Sequence, residues 1–170
     1  MKKLLETISG AVIPMPSLIV SCRDEDGKNN ALAVGSAAMI SGNPAMIMIG
    51  VMPEKHSYHM IKQSKEFVVN VPTMDLKKEF FYLGSKSGRD VDKFEALNLA
   101  WENGTKVNAP ILTDCPINIE CKVIASMTPG DGDHELFFAT LEATHCDDSC
   151  LNAQGNIDWK KISEITFYRI

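Results

Sequence analysis

Asn30 to Tyr58 reads NALAVGSAAMISGNPAMIMIGVMPEKHSY, and the fold turns on how this stretch divides. The run Ala45 to Met52 is apolar except for Gly50. Pro44 before it and Pro53 after it leave no room for a helix of ordinary length, so it is predicted as a strand buried on both faces. The arm before it, with small residues from Ala33 to Ala38, is predicted as a single partner strand joined through the turn Ser41-Gly42-Asn43-Pro44. Small side chains there let a flat molecule come close to the backbone. The polar group Lys55, His56, Ser57 and Tyr58 follows directly, and its hydroxyls and bases suit an anion. A planar apolar ring with a phosphate tail matches that surface.

Working outward, Leu18 to Cys22 is predicted as the first strand, entered through Pro14 and Pro16 and left through an Asp26-Gly27 hairpin signal. Lys2 to Ser9 reads as a short helix. Ser57 is a candidate N-cap for a helix ending near Ser64. Glu66 to Val71 is a further strand, and Asp75 to Leu83 a helix with Leu76, Phe80 and Leu83 on one stripe. Asp92 starts another short helix. Asn103-Gly104 and Ala109-Pro110 mark turns around a short, weakly patterned piece. Ile117, Ile119, Cys121 and Val123 alternate with Asn118, Glu120 and Lys122, a half-buried strand. His134 to Cys146 is the longest strand candidate and is apolar on both sides. At least six strands fall mostly in hairpin order, without repeated β-α-β alternation. This predicts a β-rich α+β fold, an antiparallel barrel with inserted helices, over a doubly wound sheet.

The chain of 170 residues fits one domain, 1–170, and its 45% apolar and 23% charged content is that of an ordinary globular protein. The net charge of -5 argues against a general nucleic-acid binder. Five cysteines without a C-x2-C pair form no zinc pattern, so no metal is expected. Their odd number and the absence of an export pattern at Met1–Glu6 suggest reduced thiols in a cytoplasmic protein. No apolar run reaches membrane-spanning length.

Three places carry candidate chemistry. Ser57, with Lys55 and His56, would put free N–H groups and a helix dipole against an anion; alternatively Ser57 only caps its own helix. Ser85-Lys86-Ser87-Gly88-Arg89 has the hydroxyls, glycine and cations of a phosphate cradle, though not of a Walker loop; a solvated loop is the alternative. His134, between Asp133 and Glu135, suits a hydrogen-bond donor or proton relay, or else a turn histidine paired with Asp133. His56, His59 and His145 read as surface or cap residues.

Six blocks, in order, resemble the flavin reductase-like (flavoredoxin) family: Asn30 to Ala38; Pro53 to Tyr58 with Ile61; Phe67 to Pro72; Ser87 to Phe94; Asp114 to Cys121; and Asp133 to Phe138. The resemblance implies an FMN-binding split barrel and a homodimer with FMN near the interface. It further implies hydride transfer from NAD(P)H through FMN to a flavin, protein or small-molecule acceptor. Two alternatives stand beside this activity: an FMN-binding electron carrier with little turnover, and a barrel that has lost its cofactor. By position, Val34, Gly35, Ser36 and Ala37 would line the isoalloxazine, and Pro53, Ser57 and Tyr58 would continue to ribityl and phosphate. Asn30, Met52 and His56 belong to the same cofactor set, Ser87 and Lys93 would close the polar end, and His134 would lie near the ring or the nicotinamide. Many relatives carry tryptophan where this chain has Ser36, a hydroxyl residue where it has Ala33, and arginine where it has His56.

Overall fold

The computed structural model describes Leu4, Glu6 and residues 15–162. The helix expected over Lys2 to Ser9 lies outside the described residues. Nine strands and three α-helices follow in chain order: β1 (Leu18–Arg23), β2 (Asn29–Val34), β3 (Ala37–Gly42), β4 (Ala45–Val51), α1 (His56–Ser64), β5 (Glu66–Val71), α2 (Lys77–Ser85), α3 (Lys93–Leu97), β6 (Trp101–Asn103), β7 (Pro110–Leu112), β8 (Ile117–Met127) and β9 (Glu135–Cys146). No helix among the described residues is long and apolar enough to cross a membrane.

Seven strands form one antiparallel sheet in the order β2-β1-β5-β8-β9-β4-β3. Its two edges, β2 and β3, are consecutive in the chain and are separated only by Gly35 and Ser36. A flat sheet of this size would hold its edges roughly 29 Å apart. The three Cα steps from Val34 to Ala37 reach at most about 11 Å. The sheet therefore curls until its edges nearly meet, a barrel left open along one seam. The single partner strand expected from Asn30 to Ala38 is thus two strands. β2 pairs with β1, and of the two it is β3 that pairs with β4, in register Ala37↔Ile49 to Gly42↔Ala45. Gly35-Ser36, between apolar residues on both sides, is the only local mark of the break, and a glycine there is also compatible with a bulge in one continuous strand.

Apolar side chains from the inward faces fill the barrel: Val20, Leu32, Val34, Ile47, Ile49, Val51, Phe67, Val69 and Phe137, with Met60 and Ile61 of α1 against them. A second layer outside β1 and β2 is made by Phe80 and Leu83 of α2, Phe94 of α3, and Ile19, Ala31, Leu112 and Cys115. The helix expected at Asp75 to Leu83 begins as a 3-10 turn at Met74–Leu76 and continues as α2 to Ser85. The weakly patterned stretch contains the small β6-β7 ladder.

β8 departs from simple alternation. Asn118 and Glu120, expected to face solvent, are buried. Asn118 donates to Asn70 Oδ1 (2.8 Å) and to the Leu112 carbonyl (2.9 Å). Glu120 accepts from the Thr105 amide and hydroxyl (3.1 and 2.6 Å), the Lys106 and Val107 amides (2.6 and 2.8 Å), and pairs with His145 Nε2 at 2.6 Å. His145 is accordingly a partner of a buried carboxylate rather than a free surface residue. Burial alone would raise the Glu120 pKa, but the bonds from Thr105, His145 and the Lys106 amide outweigh it and hold it at about 2.

Candidate functional site

β2, the start of α1, and the loop after α2 enclose a cavity of about 240 Å³. Asn30 reaches it from β2, His56 and Ser57 from α1, Lys86, Ser87 and Arg89 from the loop, and Lys93 from the head of α3. α1 starts one residue earlier than expected: Lys55 is its N-cap and makes no side-chain cap bond, and its first turn has no acidic residue. Ser57 therefore does not cap. It lies inside the helix, buried, with its hydroxyl accepting from Asn30 Nδ2 at 2.7 Å. The uncapped helix end keeps backbone donors and a positive dipole end directed at the cavity.

Lys93 is buried to 4% exposure, with Nζ donating to the carbonyls of Ala31 (2.8 Å) and Leu83 (2.9 Å). A lysine ammonium has three donors, so one remains after those two bonds. Burial lowers its pKa to about 8. His56 is also lowered, first by burial and then by Arg89 and Lys28. Arg89 donates to the Glu54 carbonyl at 2.6 Å and its amide to Ser87 Oγ at 3.2 Å, which folds the loop back on the start of α1. Gly88 permits this: a Cβ there would stand 2.5 Å from Asn30 Oδ1 and 2.8 Å from His56 Cδ2. Burial pushes the Cys22 thiol up to about 12, so it is an inert packing group.

A smaller cavity of about 90 Å³ lies on the barrel seam. Val34, Gly35 and Ser36 form one wall, Gly50, Val51 and Met52 the other, and His134 stands at the rim. The Gly50 amide donates to the Ser36 carbonyl at 2.7 Å, and a Cβ on Gly50 would meet Ser36 Oγ at 2.6 Å. Ser36 thus sits down on β4 because position 50 has no side chain. His134 Nδ1 pairs with Asp133 Oδ1 at 2.6 Å, the turn pairing that sequence reading offered as its alternative. Leu32, Ala33 and Lys55 line both cavities, so the two adjoin across β2 and the start of α1.

Of the residues predicted from the sequence, Asn30, His56, Ser57, Ser87 and Lys93 come together at the polar end. Val34, Gly35, Ser36, Met52 and His134 gather at the seam. Ala37, Pro53 and Tyr58 line neither. Ala37 packs against the barrel interior. Tyr58 turns its hydroxyl to Glu135 Oε2 at 2.6 Å. Leu83 and Gly84 complete the polar cavity; in sequence Leu83 reads only as part of a core stripe and Gly84 as the first residue of the following loop, whereas α2 runs through both. Their signal is the following serine- and cation-rich loop, which ties the end of α2 to the groove. Among the described residues no group of three or more His, Cys, Asp or Glu side chains is placed to hold a metal ion.

Comparison with known proteins places this geometry. An uncharacterized protein of Archaeoglobus fulgidus is 30% identical over 141 residues, 82% of this chain and 78% of its own. The flavoredoxin of Desulfovibrio vulgaris (Miyazaki F) superposes with a TM-score of 0.91 at 27% identity, covering 100% of this chain and 90% of that one. The flavoredoxin from Methanosarcina acetivorans gives 0.87 at 26% identity over 97% and 86%. The family model described as "Flavin reductase like domain" matches residues 10–160. With its split-barrel sheet, the chain belongs to the flavin reductase-like family.

Proposed function

We propose that the groove binds FMN, with the phosphate in the cationic cavity and the isoalloxazine along the seam, and that the protein is an NAD(P)H-dependent flavin oxidoreductase. The observation that carries this reading is that a cationic cavity and a small-residue cavity adjoin, sharing Leu32, Ala33 and Lys55 as walls. The donor set fits the ligand: hydroxyls at Ser57 and Ser87, the amide of Asn30, the uncapped end of α1, and the cations Lys86, Arg89 and Lys93 suit a phosphate dianion. The small residues Gly35, Ser36 and Gly50 leave room for a planar ring to approach backbone. Family membership and the likeness to two flavoredoxins support the same ligand.

Bound FMN would supply the hydride-accepting chemistry. The protein's part is to hold the phosphate, orient the ring against β2 and β4, and present the His134–Asp133 pair at the open rim, where an imidazole can donate or relay a proton. The acceptor is a flavin, a protein or a small molecule. We assign the assembly as a homodimer. Met39 and Ile40 on edge strand β3 are 56% and 44% exposed beside the seam, and Ile124 and Met127 on β8 add further apolar surface. The five free thiols fit a reducing compartment, the cytoplasm.

The test is direct. Titration of the purified protein with FMN should quench flavin fluorescence to a stoichiometric end point, and anaerobic NADH or NADPH should then bleach the bound flavin. Absence of FMN uptake would reject the ligand. Uptake without bleaching by either nucleotide would reject the reductase activity and leave a carrier.

A further inference from the structure

Tyr58 does not face the groove, and what it does instead joins the groove's two ends. Its hydroxyl donates to Glu135 Oε2 at 2.6 Å, and Lys62, one turn further along α1, forms an ion pair with Glu135 Oε1. Lys62 Nζ also reaches Ser126 Oγ on β8 at 3.3 Å. Glu135 is 6% exposed, so both of its oxygens are spent on partners away from bulk water. The Tyr58 ring meets Phe137 edge-on at 5.8 Å, which seats α1 on the barrel interior.

The position of these groups matters more than their strength. Tyr58 follows Ser57, a wall of the phosphate cavity. Glu135 follows His134, the rim of the seam cavity, and is register-paired with Val51, beside Gly50 and Met52 of the same wall. Between Val51 and His56 the chain runs only through Met52–Lys55, a turn closed by the Lys55 amide on the Met52 carbonyl at 3.0 Å. The carboxylate of Glu135 thus bolts the element that supplies the polar end to the strands that supply the ring end. Burial opposes its charge, yet its bonds to Lys62, Ser126 and Tyr58 hold its pKa at about 2, so the clamp keeps its charge at any working pH.

Resting on the FMN reading above, we propose that Glu135, Tyr58 and Lys62 are positioning residues that fix the spacing between the phosphate and ring ends of the groove, and so set flavin affinity. A ligand anchored at both ends needs the ends held at one separation. Loosening the bolt makes binding restore the order that the free protein has lost.

The experiment compares wild type, Tyr58→Phe, Glu135→Gln and Lys62→Gln. Tyr58→Phe keeps the ring on Phe137 and removes only the hydroxyl. FMN and riboflavin affinities are read by fluorescence quenching at a temperature well below each melting transition, so that every variant is fully folded. Expected is a loss of FMN affinity of about fivefold for Tyr58→Phe, the lower end of ordinary intersite coupling, and a larger loss for Glu135→Gln. Riboflavin, which lacks the phosphate and is held at one end only, should lose far less. Melting temperatures alone falling, with both affinities unchanged, would overturn the proposal and make the cluster purely structural. Equal losses for FMN and riboflavin would overturn it too, by placing the effect at the ring end alone. Wild-type protein that takes up neither flavin would instead reject the FMN reading itself.

Discussion

Replacing Glu120 by glutamine tests what holds the scaffold behind the groove. The carboxylate is fully buried and is surrounded by donors: three backbone amides, the Thr105 hydroxyl and His145. Glutamine has the same size, but its NH₂ must face one of those donors, and it brings no charge. The magnitude follows from the ionisation. An ordinary glutamate at 4.5 stands at about 2 here, and at about 1.4 kcal/mol per pH unit the gap is worth about 3 kcal/mol. Because the folded value is depressed, this stability is complete above the unfolded value near 4.5 and disappears as pH falls through the folded value near 2. Urea unfolding at pH 7 should therefore find Glu120→Gln less stable by about 3 kcal/mol, or about 6–12 °C in melting temperature for a chain of this length. The two proteins should converge between pH 4.5 and pH 2. The network lies on β8 and the 105–107 loop, away from the groove, so FMN affinity of the folded variant should match wild type. A variant within about 0.5 kcal/mol of wild type at pH 7, or one that keeps its deficit undiminished at pH 2, would refute the reasoning.

Three further outcomes concern the groove. Ser57→Ala removes the acceptor of the buried Asn30 amide as well as a hydroxyl of the cavity; it should cost about 1–2 kcal/mol of stability and weaken FMN at least tenfold, measured by calorimetry on the folded variant. Burial holds Lys93 at about 8, below its unfolded value of 10.5, so unliganded protein should gain stability as pH rises from 8 towards 10.5, while FMN affinity falls as the ammonium loses its charge. Lys93→Met should abolish that fall, and it should also destabilise the fold by leaving the Ala31 and Leu83 carbonyls without their donor; a wild-type affinity flat from pH 7 to 10 would remove Lys93 from the phosphate site. Gly50→Ala should displace Ser36 and lower both melting temperature and flavin affinity, and the double variant Ser36→Gly/Gly50→Ala should recover most of both.

The parts of the molecule that local chemistry dictates were legible in the sequence. β5 runs from Glu66 to Val71 as the apolar run and Pro72 demand, and the Asp26-Gly27 signal does sit between paired strands β1 and β2. The groove's polar end was visible because phosphate recognition needs hydroxyls and cations, and these stand in two short blocks around Ser57 and Ser87. What escaped were features fixed by distant partners. Asn118 and Glu120 look like the wet face of a strand, and they are buried only because the Leu112 carbonyl and the 105–107 amides arrive from a loop without periodic pattern. Tyr58 was expected at the cofactor from its place beside Ser57 in a block that resembles the family, but consecutive helical residues diverge by about 100°, and its hydroxyl meets Glu135 instead.

The split at Gly35-Ser36 shows how one such omission propagates. As a single strand, Asn30 to Ala38 makes a hairpin with Ala45 to Met52, and a hairpin has no groove between its arms. Broken after Val34, the same residues become the opposite edges of a curled sheet, and the seam cavity opens where the corner Val34–Ser36 faces Gly50, Val51 and Met52. Side-chain size permits either arrangement, since alanine, glycine and serine pack as readily in a ladder as in a corner. Pairing distinguishes them: β2 takes six registered partners on β1, from Leu18↔Val34 to Arg23↔Asn29, and only the part after the break, β3, runs along β4. The binding groove thus depends on which neighbour each half of this stretch takes, β2 beside β1 across the Asp26-Gly27 turn and β3 beside β4 across the Asn43-Pro44 turn.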